Sequence, residues 1–387
     1  QLHPNVPLYN MIFTFELAGK IEVEIFREAF RLLVQGSDAM RTVFEVVKGV
    51  PQQKVLPELP HEMEVVDWSA EADFEVWLAE RNSRMFDLSR CLFDSVLIRF
   101  SEEKYVWYSS QHHLISDAWS ASVLYRNMAK IYGHLSNKTQ NEIPEITLFN
   151  DYLNYEKENS KKNNSATQFW QQKSQSLPQM PRLYGISKSK KNIPPTQSER
   201  IICDLGLERS TRLRALTHEV DIRAWTEHLS LFNIFTTVLF AWLHRVSGQS
   251  ELAISTPAHN RATAAFKNMP GVCIELFPLI NTIEKNDTFK TLFQRVSMNT
   301  LEFLKYAQSG MVSTELNRGI NVVLNYIHAT FEDFNGIPVI TNWLYPNHAD
   351  AIHHLRLQVV SFDGTGNIQL YFDINEAVFD VTLQKRI

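Results

Sequence analysis

The stretch His112-His113-Leu114-Ile115-Ser116-Asp117-Ala118-Trp119-Ser120 decides how this chain is read. It separates an apolar, aromatic run, Tyr105-Val106-Trp107-Tyr108, from an amphipathic one carrying Ala118, Val123, Leu124, Met128, Ile131 and Tyr132. The first pattern predicts a buried strand, and the second a helix capped by Ser116 or Asp117. The strand then delivers two imidazoles to its end. An imidazole takes and returns a proton near neutral pH, and a strand end can hold one rigidly over a cleft. An aspartate four residues after His113 can fold back and fix the loop, which completes an acyl-transfer constellation. Paired histidines before a helix also occur as satisfied core or surface residues, and so short a motif is weak by itself. Zinc fits less well. Adjacent histidines lack the i,i+4 spacing of a helical two-histidine site, and Cys91, Cys203 and Cys273 are far apart, so no metal site is expected.

The bulk numbers set the frame. A chain of 387 residues is too long for one ordinary core and suits two lobes. Its 44% hydrophobic, 11% aromatic and 21% charged residues are those of a globular protein. A net charge of −5 and a pI near 6.3 give no reason to expect nucleic acid or an anionic membrane as partner. Three unpatterned cysteines suit a reducing cytoplasm. The longest apolar stretch, Leu229 to Leu243, is broken by Ser230, Asn233, Thr236 and Thr237 and reads as a buried helix, not a membrane span. The chain opens mid-pattern at Gln1, which leaves room for a leader or a preceding domain.

Outward from the motif, helix and strand signals alternate. Strands are expected at Tyr9–Leu17, Thr42–Val47 and Cys91–Phe100. A helix over Ile21–Gln35 shows Phe26, Ala29, Phe30 and Leu33 on one face. A polar stretch, Glu156–Ala166, marks a lobe boundary, giving lobes at 1–157 and 158–387. The loose segment Ser187–Ser198 carries Lys188, Lys190 and Lys191 and reads as a solvated loop. Further helices are expected at Leu207–Glu219, Ser230–Val246 and Phe289–Ala307. Further strands are expected at Leu252–Thr256, Asn321–Ile327, Arg356–Phe362 and Ile368–Asp373, the last two joined across Gly364 and Gly366. Sheets covered by helices, in an α/β or α+β class, follow from this alternation.

Several of these segments, taken in order, resemble the condensation domain of nonribosomal peptide synthetases, within the chloramphenicol-acetyltransferase-like superfamily. Gln35-Gly36-Ser37-Asp38-Ala39-Met40-Arg41-Thr42-Val43-Phe44 is similar to the family's RHExLRTxF block, and His112–Ser120 to its HHxxxDG signature. Phe149–Tyr155 resembles YxDYAxW, and Phe169-Trp170 stands where the family has an aromatic pair. Pro257–Arg261 and Gly271–Leu279 are similar to NR…GxFVNTLPL, and Val322–Tyr326 resembles the central strand of the second lobe. The chain also departs from the pattern. The opening SxAQxR segment is absent, Ala118 replaces a glycine, and Glu275 stands where a valine is usual. The RDxSRNP block is faint in Ser313–Arg318, and the end after Phe379 is short, as in a truncated domain.

The resemblance implies a V-shaped pseudodimer of two lobes with a central tunnel open on both faces. A donor acyl thioester, on the phosphopantetheine arm of a carrier protein, would enter from one side and an amine acceptor from the other, with no cofactor bound by the domain itself. Carrier proteins and neighbouring synthetase domains would be its partners, with no nucleic acid and no membrane, and the domain would be monomeric. His113 is then the base that takes or orients the amine proton, and His112 packs beside it. Asp117 either acts directly or forms a buried pair, with Arg261 as first partner and Arg41 second. Asn325 would place an amide near the oxyanion, and Ser116 and Ala118 would border the substrate. Other readings within the fold are an ester-forming free-standing acyltransferase, an epimerisation domain and a non-catalytic carrier-protein docking platform.

Overall fold

The computed structural model describes residues 6–68, 73–137, 145–160, 164–183, 193–311, 316 and 319–379. Lys188, Lys190 and Lys191, most of Ser313–Arg318 and the end after Phe379 lie outside the described residues. The first half runs through β1 (Asn10–Ala18), α1 (Val23–Gly36), β2 (Thr42–Val47), β3 (Val50–Val55), β4 (Glu64–Asp67), α2 (Phe74–Asn82), β5 (Phe93–Ser101), β6 (Lys104–His112), α3 (Ala118–Asn137) and α4 (Phe149–Ser160). The second half carries α5 (Asn164–Gln175), β7 (Ser198–Asp204), α6 (Gly206–Leu216), α7 (Glu227–Ser247), β8 (Glu251–Ala258), α8 (Ala264–Lys267) and β9 (Glu275–Thr282). It ends with α9 (Phe289–Tyr306), β10 (Val322–Ile327), β11 (Val339–Leu344), β12 (Leu355–Val360) and β13 (Gln369–Asn375).

The apolar run before the motif is β6, held between β1 and β5. Tyr105 and Trp107 enter the main core of the first lobe with Phe26 and Phe30 of α1 and Leu124 and Met128 of α3. Val106 and Tyr108 face the other way and pack with Leu78 of α2. Burial on both faces is why this strand is apolar throughout rather than alternating. Each large side chain so buried contributes roughly 1.5–3 kcal/mol. The second lobe is built on the sheet β7-β13-β12-β10-β8-β9, in which β8, β10 and β12 are parallel neighbours. The α7 helix, capped by Thr226 and ended by Gly248 at φ 71°, lies against it and supplies Leu231, Phe240 and Leu243 to its core. The apolar stretch from Leu229 is thus a core helix; α7 is also the one described helix long and apolar enough to cross a membrane.

The expected division at residue 157 is crossed twice. β11 leaves the second half and pairs antiparallel with β1, from Ile12 opposite Leu344 to Leu17 opposite Val339. Phe331, Phe334 and Phe362 also fill the first core. The polar stretch expected as a linker is largely helix, since α4 runs to Ser160 and α5 starts at Asn164. Gly364 and Gly366, at φ 67° and 85°, turn the chain between β12 and the antiparallel β13, as their spacing suggests.

Candidate functional site

The two histidines leave β6 in opposite roles. Their backbones are pinned, His112 N donating to Leu92 O and His113 N to Tyr9 O, both at 2.8 Å. The His112 ring turns into the protein, 5.9 Å from the Tyr9 ring and 6.3 Å from Phe86. Its Nδ1 accepts from Leu114 N at 3.1 Å. Burial, reinforced by His113, pulls its pKa down to about 4. It is neutral and does not reach the cavity, so a direct catalytic part for His112 is dropped. His113 is enclosed by protein except toward the cavity that it lines. Burial lowers its pKa below 6.5, although Asp117 pulls the other way. A neutral imidazole therefore faces the cavity at pH 7, the form that can accept a proton.

Buried neutral histidines carry a stability cost in acid. An unfolded chain protonates imidazoles as the pH falls through 6.5, whereas burial holds His112 and His353 neutral down to about 4. The unfolded state then binds more protons, so stability is complete above that range and falls as the pH drops through it. Thermal melts at about pH 7.5 and about pH 5 should show a lower Tm at the lower pH. An unchanged Tm would show that the fold protonates these rings as readily as water does.

Asp117 caps α3 and ties the lobes together. Its Oδ1 accepts from Ser120 N at 2.8 Å and Arg261 Nη2 at 3.1 Å, and its Oδ2 accepts from Arg261 Nη1 at 2.9 Å and Cys273 N at 3.1 Å. The two side chains keep only 1% and 2% of their surface exposed. Burial alone would favour the protonated acid, but the guanidinium and the backbone donors overcome it and hold the carboxyl below its ordinary range. Arg261 Nη2 also reaches Ser120 Oγ at 2.9 Å and Gly271 O at 2.8 Å. Of the two partners foreseen for Asp117, Arg261 is the one present. Arg41 is elsewhere, donating to the carbonyls of Leu56 and Pro57, because its backbone sits at the start of β2 beside that loop.

Two residues to which the motif spacing gives no role complete this knot. Ser120 is fully buried among Asp117, Arg261 and Gly271. Asp38 accepts from Ala39 N, Phe149 N and Asn150 N at 2.7–2.8 Å, which caps α4 from the loop before β2. Phe149 in turn lies against Gly271. A β-carbon there would fall 2.1 Å from Phe149 Cδ2, and φ is 144°, so glycine alone fits. Three of the sequence blocks thus meet at one point, where Ala39, Phe149, Tyr152, Phe266, Met269 and Cys273 form a small core. An aspartate just after Ser37 and before Ala39 was the available signal for that cap.

The cavity beside His113, about 180 Å³, is walled by both lobes. Ala118 and Trp119 of α3 face Pro257 and His259 of β8 and its following loop, and Val323, Asn325 and Ile327 of β10. A second cavity of about 440 Å³, lined by Tyr152, Asn159, Arg261 and Gln308, shares Pro257 and His259 with the first, so two spaces converge on the site. Asn325 stands on the wall, its Nδ2 donating to Gln358 Oε1 at 3.2 Å. Ala118 opens α3 in helical conformation and lines the cavity. Ser116 is fully buried with its Oγ toward Asp117 O at 3.4 Å and does not line the cavity. Among the described residues no group of three or more histidine, cysteine or carboxylate side chains could hold a metal ion.

The chain is 23% identical over 400 residues to isonitrile lipopeptide synthase of Streptomyces coeruleorubidus, covering 98% of this chain and 26% of that protein. It is 23% identical over 317 residues to a dimodular nonribosomal peptide synthase of Bacillus subtilis, covering 77% of this chain and 12% of that protein. The chain therefore spans about a quarter or less of these relatives' length. Its fold matches the starter condensation domain of rhizomide synthetase RzmA, solved with C8-CoA and Leu-SNAC, at a TM-score of 0.83 and 19% identity, covering 98% of this chain and 86% of that one. The first condensation domain of the CDA synthetase matches at a TM-score of 0.80 and 16% identity, covering 100% and 91%. A family model described as the condensation domain matches residues 1–380, and the chain belongs to the condensation-domain family of the nonribosomal peptide synthetases.

Proposed function

We propose that this chain forms an amide bond between an acyl thioester donor and an amine acceptor, the donor being carried on the phosphopantetheine arm of a carrier protein. The observation that carries the reading is a neutral, pinned His113 on the wall of a cavity that shares Pro257 and His259 with a second one. The acceptor nitrogen attacks the thioester carbon and forms a tetrahedral oxyanion. His113 takes the proton that the nitrogen sheds. Collapse of the intermediate breaks the carbon–sulfur bond, and the proton passes to the leaving sulfur, which departs as a thiol. Juxtaposing the two substrates supplies much of the rate, and Asn325 offers an amide to the oxyanion. Asp117 and Arg261 act as positioning residues that hold the motif loop. Residues 1–157 and 158–387 form the two lobes, with the second lending β11 and the Phe331, Phe334 and Phe362 side chains to the first.

The test loads candidate acyl groups onto carrier proteins and follows the condensed product by intact-protein mass spectrometry. Product that requires this chain supports the reading, and its absence across a broad donor and acceptor panel overturns it. Ala118 sharpens the test. Its helical conformation needs no glycine, so Ala118→Gly should keep turnover within a few-fold and cost at most about 1 kcal/mol of stability. Ala118→Leu should fill the cavity mouth and abolish turnover in a folded protein. A large gain in activity with glycine would mark the natural chain as a weakened member of its family.

A further inference from the structure

The cavity that holds His113 carries a charge pattern that amide formation does not use. Among its wall residues the charged side chains are Arg200 and Arg356, with no carboxylate. The carboxylate that balances them, Asp373, lies fully buried behind the wall. Arg200 is committed to it. Its Nε and Nη2 donate to Asp373 at 2.6 and 3.1 Å, and its guanidinium stacks on Trp343, Tyr345 and Tyr371. Gln358 Nε2 takes the same Oδ2 at 2.5 Å.

Arg356 is left with the remainder. It shares the cavity-facing side of β12 with Gln358, while Leu355 and Leu357 enter the core from the other side. Its Nη2 makes two bonds of 3.1 Å, to Tyr345 Oη and to the already crowded Asp373 Oδ2. Its Nε is buried and has no partner among the described residues, and neither has the buried Nδ1 of the adjacent wall residue His353. An arginine has five N–H donors, and a buried donor without an acceptor costs roughly 1–3 kcal/mol. Asp350 lies near but is not a wall residue, and it forms no ion pair with Arg356 among the described residues; its Oδ1 accepts from Ile352 N.

We propose that this wall recognises a carboxylate on a substrate, with Arg356 as the specificity-determining residue and His353 supplying a second contact. The planar guanidinium fork fits a carboxylate, and one under-used arginine balances a monoanion, whereas a dianionic phosphate would need a second. The carboxylate is either on the side chain of a tethered aminoacyl group or the free α-carboxylate of an untethered amino acid. The inference rests on the reading of His113's cavity as the reaction chamber.

Equilibrium binding to the whole chain separates these cases without any turnover. One arm compares aspartyl and asparaginyl N-acetylcysteamine thioesters, and the other compares leucine with leucinamide. The acid of at least one pair should bind at least about ten-fold more tightly than its amide. The pair that discriminates identifies the source. In Arg356→Met the ratio should fall to near one, while Arg356→Lys should keep part of it. Arg200 and Gln358 still satisfy Asp373 in either variant, and thermal melting checks that each is folded. Equal binding of acid and amide, no binding by any acid, or an undiminished ratio in folded Arg356→Met overturns the proposal. Amide formation with neutral acceptors in the mass-spectrometric assay would stand regardless of that result.

Discussion

Replacing His113 by alanine is expected to lower amide formation by about 10²–10⁴-fold while leaving the fold intact. The size follows from what the residue provides. On the proposed mechanism, the neutral imidazole at the cavity wall would remove a proton that water removes poorly once the amine is enclosed. The backbone bond from His113 N to Tyr9 O does not depend on the side chain, so the strand end should keep its place. Single-turnover condensation on carrier-bound substrates measures the effect, and circular dichroism checks the fold. Turnover within a few-fold of the parent would remove His113 from the chemistry. His112→Ala should read out differently, as lost thermal stability, because that ring fills space between Tyr9 and Phe86.

The second large effect concerns stability. Asp117→Ala should cost roughly 3–5 kcal/mol, because it strands a buried arginine. It also removes the acceptor from Ser120 N and Cys273 N. Arg261→Met should cost a similar amount by leaving the carboxylate uncompensated. A double variant with apolar residues at both positions should recover part of the sum, since neither charge then remains buried alone. Denaturant unfolding of the four proteins closes the cycle. Strict additivity would mean that the two side chains do not interact, which the bidentate geometry rules against.

Much of this was legible before the fold was known, and the reasons differ by element. The amphipathic stripe of α1 and the doubly buried β6 are local patterns, so periodicity placed them within a few residues. The Gly364 and Gly366 turn was legible because positive φ favours glycine. β3, by contrast, is exposed along its whole length and carries no alternation to read. β7 and β11 escaped for a related reason: both are sheet edges with mixed burial, where side chains need not sort by face. At the site, motif spacing pointed to His113 and Asp117, and the family resemblance to Arg261. The roles of Ser120, Asp38 and Arg356 depend on contacts across more than a hundred residues of chain or across strands, and no local pattern encodes those.

The pairing of β11 with β1 sets a timetable for synthesis. One side of β1 can meet β6 once residue 112 has emerged, but its other side waits for residue 344. At roughly 5–20 residues per second, that wait is on the order of ten seconds to a minute. Throughout it the nascent first lobe shows an unpaired row of backbone donors and acceptors beside residues as sticky as Phe13 and Phe15. The first half made alone would keep that open flank permanently. Fragments cut at the apparent lobe boundary should therefore clump, and supplying the later segment in trans should restore them to solution.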